Sequence, residues 1–181
     1  WGLQRLNEIE KDLRSWSVEV LEVPSQDLKG LSPCPYAKNA WEKDKVLVIQ
    51  TDDIFAESLR QCSDMPLTDK ELIVVASYDI PEINKFNKYV QNLNILFDTL
   101  HCMEFHPDYG AEDADLDFLY DNDWESSLDK PYCMIFIQDL EQVVRASDKL
   151  QTLGYYDVYP DEEYEELVVN RKRRLDDGYE T

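Results

Sequence analysis

Lys45-Val-Leu-Val-Ile-Gln50 is a short, continuous apolar run bounded by polar residues. A run of this length is typical of a central strand whose two faces are both covered. Residues 71–77, Glu-Leu-Ile-Val-Val-Ala-Ser, repeat the pattern, and apolar residues recur at helical spacing between the two runs. A helical crossover between two such strands implies parallel neighbours in one sheet. The run therefore predicts the centre of an α/β sheet.

The sequence predicts further helices and strands on both sides of these central strands. Ile83, Phe86, Val90 and Leu93 recur every three or four residues and predict a long helix. Strands are predicted at residues 16–20, 101–107 and 132–138, where apolar residues alternate with polar ones or form a short run. Helices are predicted at residues 1–14, from residue 51, from Asp139 to Gly154, and over residues 161–174.

The predicted fold is a mixed-sheet α/β sandwich of about five strands flanked by helices, and an α+β arrangement is the alternative. A chain of 181 residues with 43% hydrophobic content can build one core without disulfides or metals. We expect a single domain over residues 1–156 with an acidic insertion at 110–130. Residues 157–181 are expected to form a charged helical extension at the C-terminus.

The formal net charge of −21 opposes binding to nucleic acids and to anionic membranes, because both depend on neutralisation by Lys and Arg. Residues 112–129 hold eight acidic side chains and no basic one, and residues 157–166 form a second acidic cluster. Such runs are mostly solvated surface. The alternative is that the two acidic segments bind a basic protein partner and that the protein is a non-catalytic interaction module.

The four cysteines are Cys34, Cys62, Cys102 and Cys133. Their wide spacing lacks the density of a disulfide-stapled secreted domain, so reduced thiols and a cytoplasmic location are expected. No stretch is apolar for long enough to predict a membrane span. The chain does not begin with Met, so the sequence leaves open whether a targeting segment precedes residue 1.

The segment Leu31-Ser-Pro-Cys-Pro-Tyr-Ala-Lys-Asn-Ala-Trp41 is the first part of the candidate site. Cys34 stands between two prolines before a short helical run. A thiol in the first turn of a helix meets unpaired N–H groups and the positive end of the dipole, which stabilise a thiolate. Cys34 is therefore a candidate nucleophile, and a small buried residue is the simpler interpretation.

His106 is the second part of the candidate site, because it ends a predicted strand and strand ends are where ligands gather in α/β sheets. His106 could deprotonate Cys34, with Glu104 or Asp108 orienting the imidazole. These residues predict a Cys/His/carboxylate cleft that binds or acts on a small molecule. In a second interpretation, Cys34, Cys102, Glu104 and His106 ligate a divalent metal such as zinc.

Three short motifs resemble segments of an uncharacterised family of small bacterial proteins. They are Cys34-Pro-Tyr-Ala-Lys38, Glu104-Phe-His-Pro-Asp-Tyr109 and Pro131-Tyr-Cys-Met134, in the same order as the Cys-Pro-Phe-Ala, Phe-His-Pro and Pro-Tyr-Pro-Met segments of that family. The likeness spans roughly residues 28–150 and implies no activity. Cys34-Pro-Tyr also resembles the active-site start of glutaredoxins, which implies monothiol redox chemistry as a further alternative, although Ala37 replaces their second cysteine.

Overall fold

The computed structural model describes residues 8–108 and 130–177. Residues 110–129 of the predicted acidic insertion and the first seven residues of the predicted N-terminal helix lie outside the described residues. The strands are β1 (Val46–Gln50), β2 (Leu72–Ser77), β3 (Leu100–Phe105) and β4 (Cys133–Asp139). The helices are α1 (Glu8–Trp16), α2 (Ala37–Glu42), α3 (Ile54–Asp64), α4 (Ile83–Leu96), α5 (Leu140–Thr152), α6 (Asp161–Tyr164) and α7 (Arg171–Asp177).

These strands form one mixed sheet in the order β1-β2-β4-β3. β1 pairs with β2 in parallel, as the apolar runs predict, and β4 is antiparallel to both β2 and β3. The crossover through α4 carries β3 two strand positions beyond β2, and β4 fills the position between them. The fold is therefore an α/β mixed sheet flanked by helices, with four strands in the described part of the chain rather than about five.

The strand predicted over residues 16–20 is wrong. Trp16 ends α1, and the chain continues as a π-helical turn, Ser17–Leu21. Ser17 is buried and its hydroxyl donates to Glu22 Oε1 at 2.8 Å, which holds the turn together. Alternation over five residues is too short to separate a strand from the end of a helix, and the packing of α1 on the sheet decides between them.

Helices cover both faces of the sheet. On one face, α3 and α4 bury a cluster that includes Ile73, Val75, Phe86 and Ile135. On the other face, α1 packs against Val74, Met134 and Phe136, and Trp41 of α2 borders this cluster. The two faces are called here the α3/α4 face and the α1/α2 face. None of the described helices is long and apolar enough to cross a lipid bilayer.

The C-terminal segment packs against the edge of the sheet rather than extending away from it. After α5, Gly154 adopts a φ of +74°, which begins a short 3-10 helix, Tyr155–Val158. A π-helical stretch, Glu165–Asn170, joins α6 to α7. Arg174 of α7 donates to the carbonyl oxygen of Leu100 at 2.9 Å, so α7 is attached to the start of β3.

Candidate functional site

The segment around Cys34 is fixed from both sides. The Cys34 backbone N–H donates to the carbonyl oxygen of Leu21 at 3.0 Å. The hydroxyl of Tyr155 donates to the carbonyl oxygen of Pro33 at 2.6 Å. The two prolines restrict the backbone of the segment. The loop is therefore held between the turn after α1 and the residues after α5.

This loop closes one side of a cavity of about 460 Å³ on the α1/α2 face of the sheet. Its volume falls in the range of ordinary small-molecule sites, roughly 300–1,000 Å³. The walls are mainly apolar and aromatic side chains, among them Leu13, Trp16, Trp41, Val74, Phe105 and Phe136. They come from α1, α2 and three strands, so only the folded chain brings them together. We call this space the inner chamber.

A second cavity, of about 580 Å³, adjoins the inner chamber and is called here the outer chamber. The two share Cys34, Tyr36 and Met103 in their linings. Side chains of α5 and α7 form its walls, together with three neighbouring tyrosines, Tyr155, Tyr156 and Tyr159. Cys34 therefore lies where an apolar chamber meets a more polar one.

Cys34 is half-buried, and it does not occupy the first turn of α2, which begins at Ala37. Burial raises the pKa of the Cys34 thiol, and the nearby Glu22 raises it further. The backbone N–H groups of Tyr36 and Ala37 act in the opposite direction but are outweighed. The structure therefore favours a protonated thiol and not the predicted thiolate, because desolvation penalises the charged form more than two weak hydrogen bonds stabilise it.

His106 is fully buried at the end of β3, on the α3/α4 side of the sheet. Its ring lies 5.5 Å from that of Phe86, measured between centroids. Nδ1 accepts a hydrogen bond from the Asp108 backbone N–H at 3.1 Å, so Nε2 carries the proton and donates to the carbonyl oxygen of Pro81 at 2.8 Å. Both ring nitrogens are thus engaged with backbone groups.

The predicted pairing of Cys34 with His106 is not formed. Cys34 borders the chambers on the α1/α2 face, whose linings do not include His106. The carboxylate of Asp108 lies 3.8 Å from His106 Nδ1 and is largely exposed, with 77% of its side chain accessible. Glu104 is the one predicted partner that lines the inner chamber with Cys34, and burial raises its pKa.

The predicted metal ligands are also separated. Cys102 is buried on the α3/α4 face, where its Sγ lies 3.7 Å from Cys62 Sγ. Cys34 lies on the opposite face. Within residues 8–108 and 130–177, no group of three or more His, Cys, Asp or Glu side chains is placed to hold a metal ion. The alternative of a zinc site at Cys34, Cys102, Glu104 and His106 is therefore not supported by this geometry.

Sequence reasoning missed most of the residues that form the chambers. Trp16 was assigned to a strand, and Phe105 and Phe136 read as ordinary core positions. Arg171 begins the basic run Arg171–Arg174 at the end of the predicted C-terminal helix, and no site was predicted there. The dense tyrosines at 155, 156 and 159 were the one local signal that could have marked a site, because tyrosine combines an apolar ring with a polar end.

Comparisons with known proteins identified no relative of this chain. No protein-family model, no curated protein and no solved structure matches the chain. The likeness to the uncharacterised bacterial family stays a prediction from three motifs. Function is therefore argued from the two chambers alone.

Proposed function

We propose that this protein binds a small, largely apolar molecule in the inner chamber. The observation that carries the proposal is the chamber itself: a space of about 460 Å³ with aromatic walls, on a sheet face that α1 and α2 cover only in part. Small-molecule sites are commonly clefts of this size with mainly apolar and aromatic walls. This match supports a bound small molecule.

The energetics favour an apolar occupant. Trp16, Trp41 and Phe105 pack against the core cluster of the α1/α2 face but are only partly buried. Removing apolar surface from water contributes roughly 25 cal/mol per Å². A ligand that covers these rings therefore recovers free energy that the protein alone does not gain.

Binding is supported better than chemistry at Cys34. The linings of both chambers contain no histidine from the described residues, and the raised pKa of Cys34 keeps the thiol protonated near neutral pH. The monothiol redox alternative needs a thiolate and is weakened by the same observation. Four free cysteines, two of them in contact, support a reducing, cytoplasmic location as part of this proposal.

The experiment is a titration with N-phenyl-1-naphthylamine, a neutral apolar dye whose fluorescence rises in apolar surroundings. The Ala40→Phe variant adds a ring to the chamber wall on α2. Its matched control, Ala56→Phe, adds the same ring to an exposed position of α3, on the opposite side of the sheet. We expect saturable binding that Ala40→Phe weakens by about tenfold or more, while Ala56→Phe leaves it unchanged.

Two results would contradict the proposal. One is the absence of saturable dye binding to the folded wild-type protein. The other is equal binding to both variants, since the dye would then lie elsewhere. Far-UV circular dichroism of each variant establishes that it is folded before its affinity is compared.

A further inference from the structure

Arg171 of α7 lines the outer chamber and lacks a carboxylate partner among the described residues. The one hydrogen bond that the structure gives its guanidinium there is from Nη2 to Met103 Sδ, at 3.7 Å. Its neighbours on α7 differ: Lys172 pairs with Asp148, and Arg173 pairs with Glu165. Arg174 of α7 also lacks an ion pair among the described residues, but it donates to the carbonyl oxygen of Leu100 at 2.9 Å. Arg171 has only the sulfur of Met103 as an acceptor there.

The environment of Arg171 is partly dry. Burial lowers the pKa of its guanidinium, and Arg174 beside it acts in the same direction. Tyr156 and Glu166 act in the opposite direction, but Glu166 forms no ion pair with it. Burying a charge whose only acceptor is a thioether carries a desolvation cost in free energy. An anion bound beside the guanidinium would offset that cost.

The outer chamber is locally positive. Its lining holds three basic side chains, Arg145, Lys149 and Arg171, against two acidic ones, Glu71 and Asp139. Arg145 is neutralised by an ion pair with Glu141, so the positive charge comes from Lys149 and Arg171. Asp139 is already engaged, because its carboxylate caps α5 by accepting from the Gln142 N–H at 2.8 Å. Arg171 is the only one of the three basic residues that is half-buried rather than exposed.

The sulfur of Met103 connects this cation to the apolar site. Met103 lines both chambers, and Arg171 contacts it directly. A molecule that passes the junction at Cys34, Tyr36 and Met103 therefore has one end among aromatic rings and the other beside a guanidinium. The complementary ligand has an apolar body and a single anionic end.

We infer that the ligand is an amphipathic monocarboxylate, whose carboxylate binds Arg171 in the outer chamber and whose apolar chain fills the inner chamber. This inference rests on the proposed function and specifies its ligand class. Guanidinium and carboxylate match in geometry and form charge-assisted hydrogen bonds. A single negative charge balances Arg171, whereas a phosphate dianion would leave excess negative charge beside Glu71.

The test compares two probes of equal chain length, decanoate and decanol, by isothermal titration calorimetry at neutral pH. Arg171→Met removes the charge and keeps an unbranched side chain that favours helix. The matched control is Arg173→Met, on an exposed position of the same helix. Arg171→Lys retains the positive charge but lacks the planar guanidinium group that binds a carboxylate through two hydrogen bonds.

We expect wild-type protein to bind decanoate more tightly than decanol by about tenfold or more, as a charge-assisted hydrogen bond provides. Arg171→Met should lose this preference while it keeps its affinity for decanol. Arg173→Met should keep the preference, and Arg171→Lys should keep part of it.

The outcomes separate the two proposals. If neither probe binds the wild-type protein, the proposed function itself fails. If decanol binds as tightly as decanoate, or if Arg171→Met still prefers decanoate, the apolar site stands and the carboxylate inference is overturned. The comparison of the two probes on wild-type protein needs no variant, so it holds even where Arg171→Met does not fold.

Discussion

The hydroxyl of Tyr155 donates a hydrogen bond of 2.6 Å to the carbonyl oxygen of Pro33, across more than a hundred residues of chain. Tyr155 is buried with Leu28 and Leu150. This contact joins the residues after α5 to the loop that carries Cys34. The loop that separates the two chambers is therefore positioned by a residue that is distant in sequence.

Tyr155→Phe should lower the free energy of unfolding by about 1 kcal/mol, because it leaves the half-buried Pro33 carbonyl without its donor. The matched control is Tyr36→Phe, which removes an exposed bond of 3.5 Å to the Ala146 carbonyl and should cost much less. Urea unfolding measures both. Equal losses in the two variants would mean that the Tyr155 bond has no special role.

Cys34 should be the first thiol to react in the native protein, because the other three cysteines are buried. Since burial raises its pKa above the ordinary value of 9.0, its alkylation rate by iodoacetamide should still be rising at that pH. Mass spectrometry of the labelled peptides identifies the site, and Cys34→Ser should remove the native-state phase. A rate that levels off well below pH 9.0 would contradict a raised pKa.

His106→Ala should destabilise the fold by roughly 2–4 kcal/mol, since it leaves a cavity beside Phe86 and frees two backbone groups. Asp108→Asn is the control: the backbone N–H of Asp108, not its exposed carboxylate, contacts the ring, so a loss below about 0.5 kcal/mol is expected. Thermal unfolding measures stability. If folded His106→Ala no longer binds the naphthylamine dye, His106 belongs to the site after all.

His101 should remain neutral in the folded protein at pH values below 6.5. Burial lowers its pKa well below that value, and the charges of Arg171 and Arg174 lower it further. As the pH falls, His101 is protonated in the unfolded chain before it is protonated in the folded protein. The free energy of unfolding is therefore unaffected by His101 above pH 6.5 and decreases below it. The free energy of unfolding decreases by at most about 1.4 kcal/mol per pH unit from this one group.

Two measurements check the His101 prediction. In proton NMR, the His101 ring resonances should not titrate near pH 6.5. In urea unfolding between pH 7 and pH 5, His101→Gln should show a smaller decrease in stability than the wild-type protein. A His101 resonance that titrates at its ordinary pKa would mean that neither burial nor the two guanidinium groups act on it.

The sequence predicted β1, β2, α4 and α5 within a few residues, because each has a strong periodic pattern and a local boundary. Asp139, for example, was predicted to start a helix with Gln142, and its carboxylate accepts from the Gln142 N–H. The place of β4 between β2 and β3 was not predictable in the same way. It depends on which sheet edge an approaching strand meets, and that is a long-range property.

The candidate site shows the same limit more sharply. Cys34 was singled out from the sequence because a proline-flanked cysteine is visible in one short segment, and its role stays a prediction. Its predicted partner was wrong in position, because alternation along β3 does not say which face of the sheet His106 will approach or which helix will cover it. Arg171 was not predicted to belong to a site, since its contact with Met103 of β3 exists only after α7 packs against that strand.

By itself, the sequence determined most of the strands and helices and the strong excess of negative charge, because these depend on residues close together in the chain. Only the tertiary structure decided that Cys34 and His106 occupy opposite faces, that the thiol lies between two chambers, and that Arg171 lines the outer chamber. The physical reason is that burial and charge pairing are properties of a folded environment, which is assembled from residues far apart in the chain.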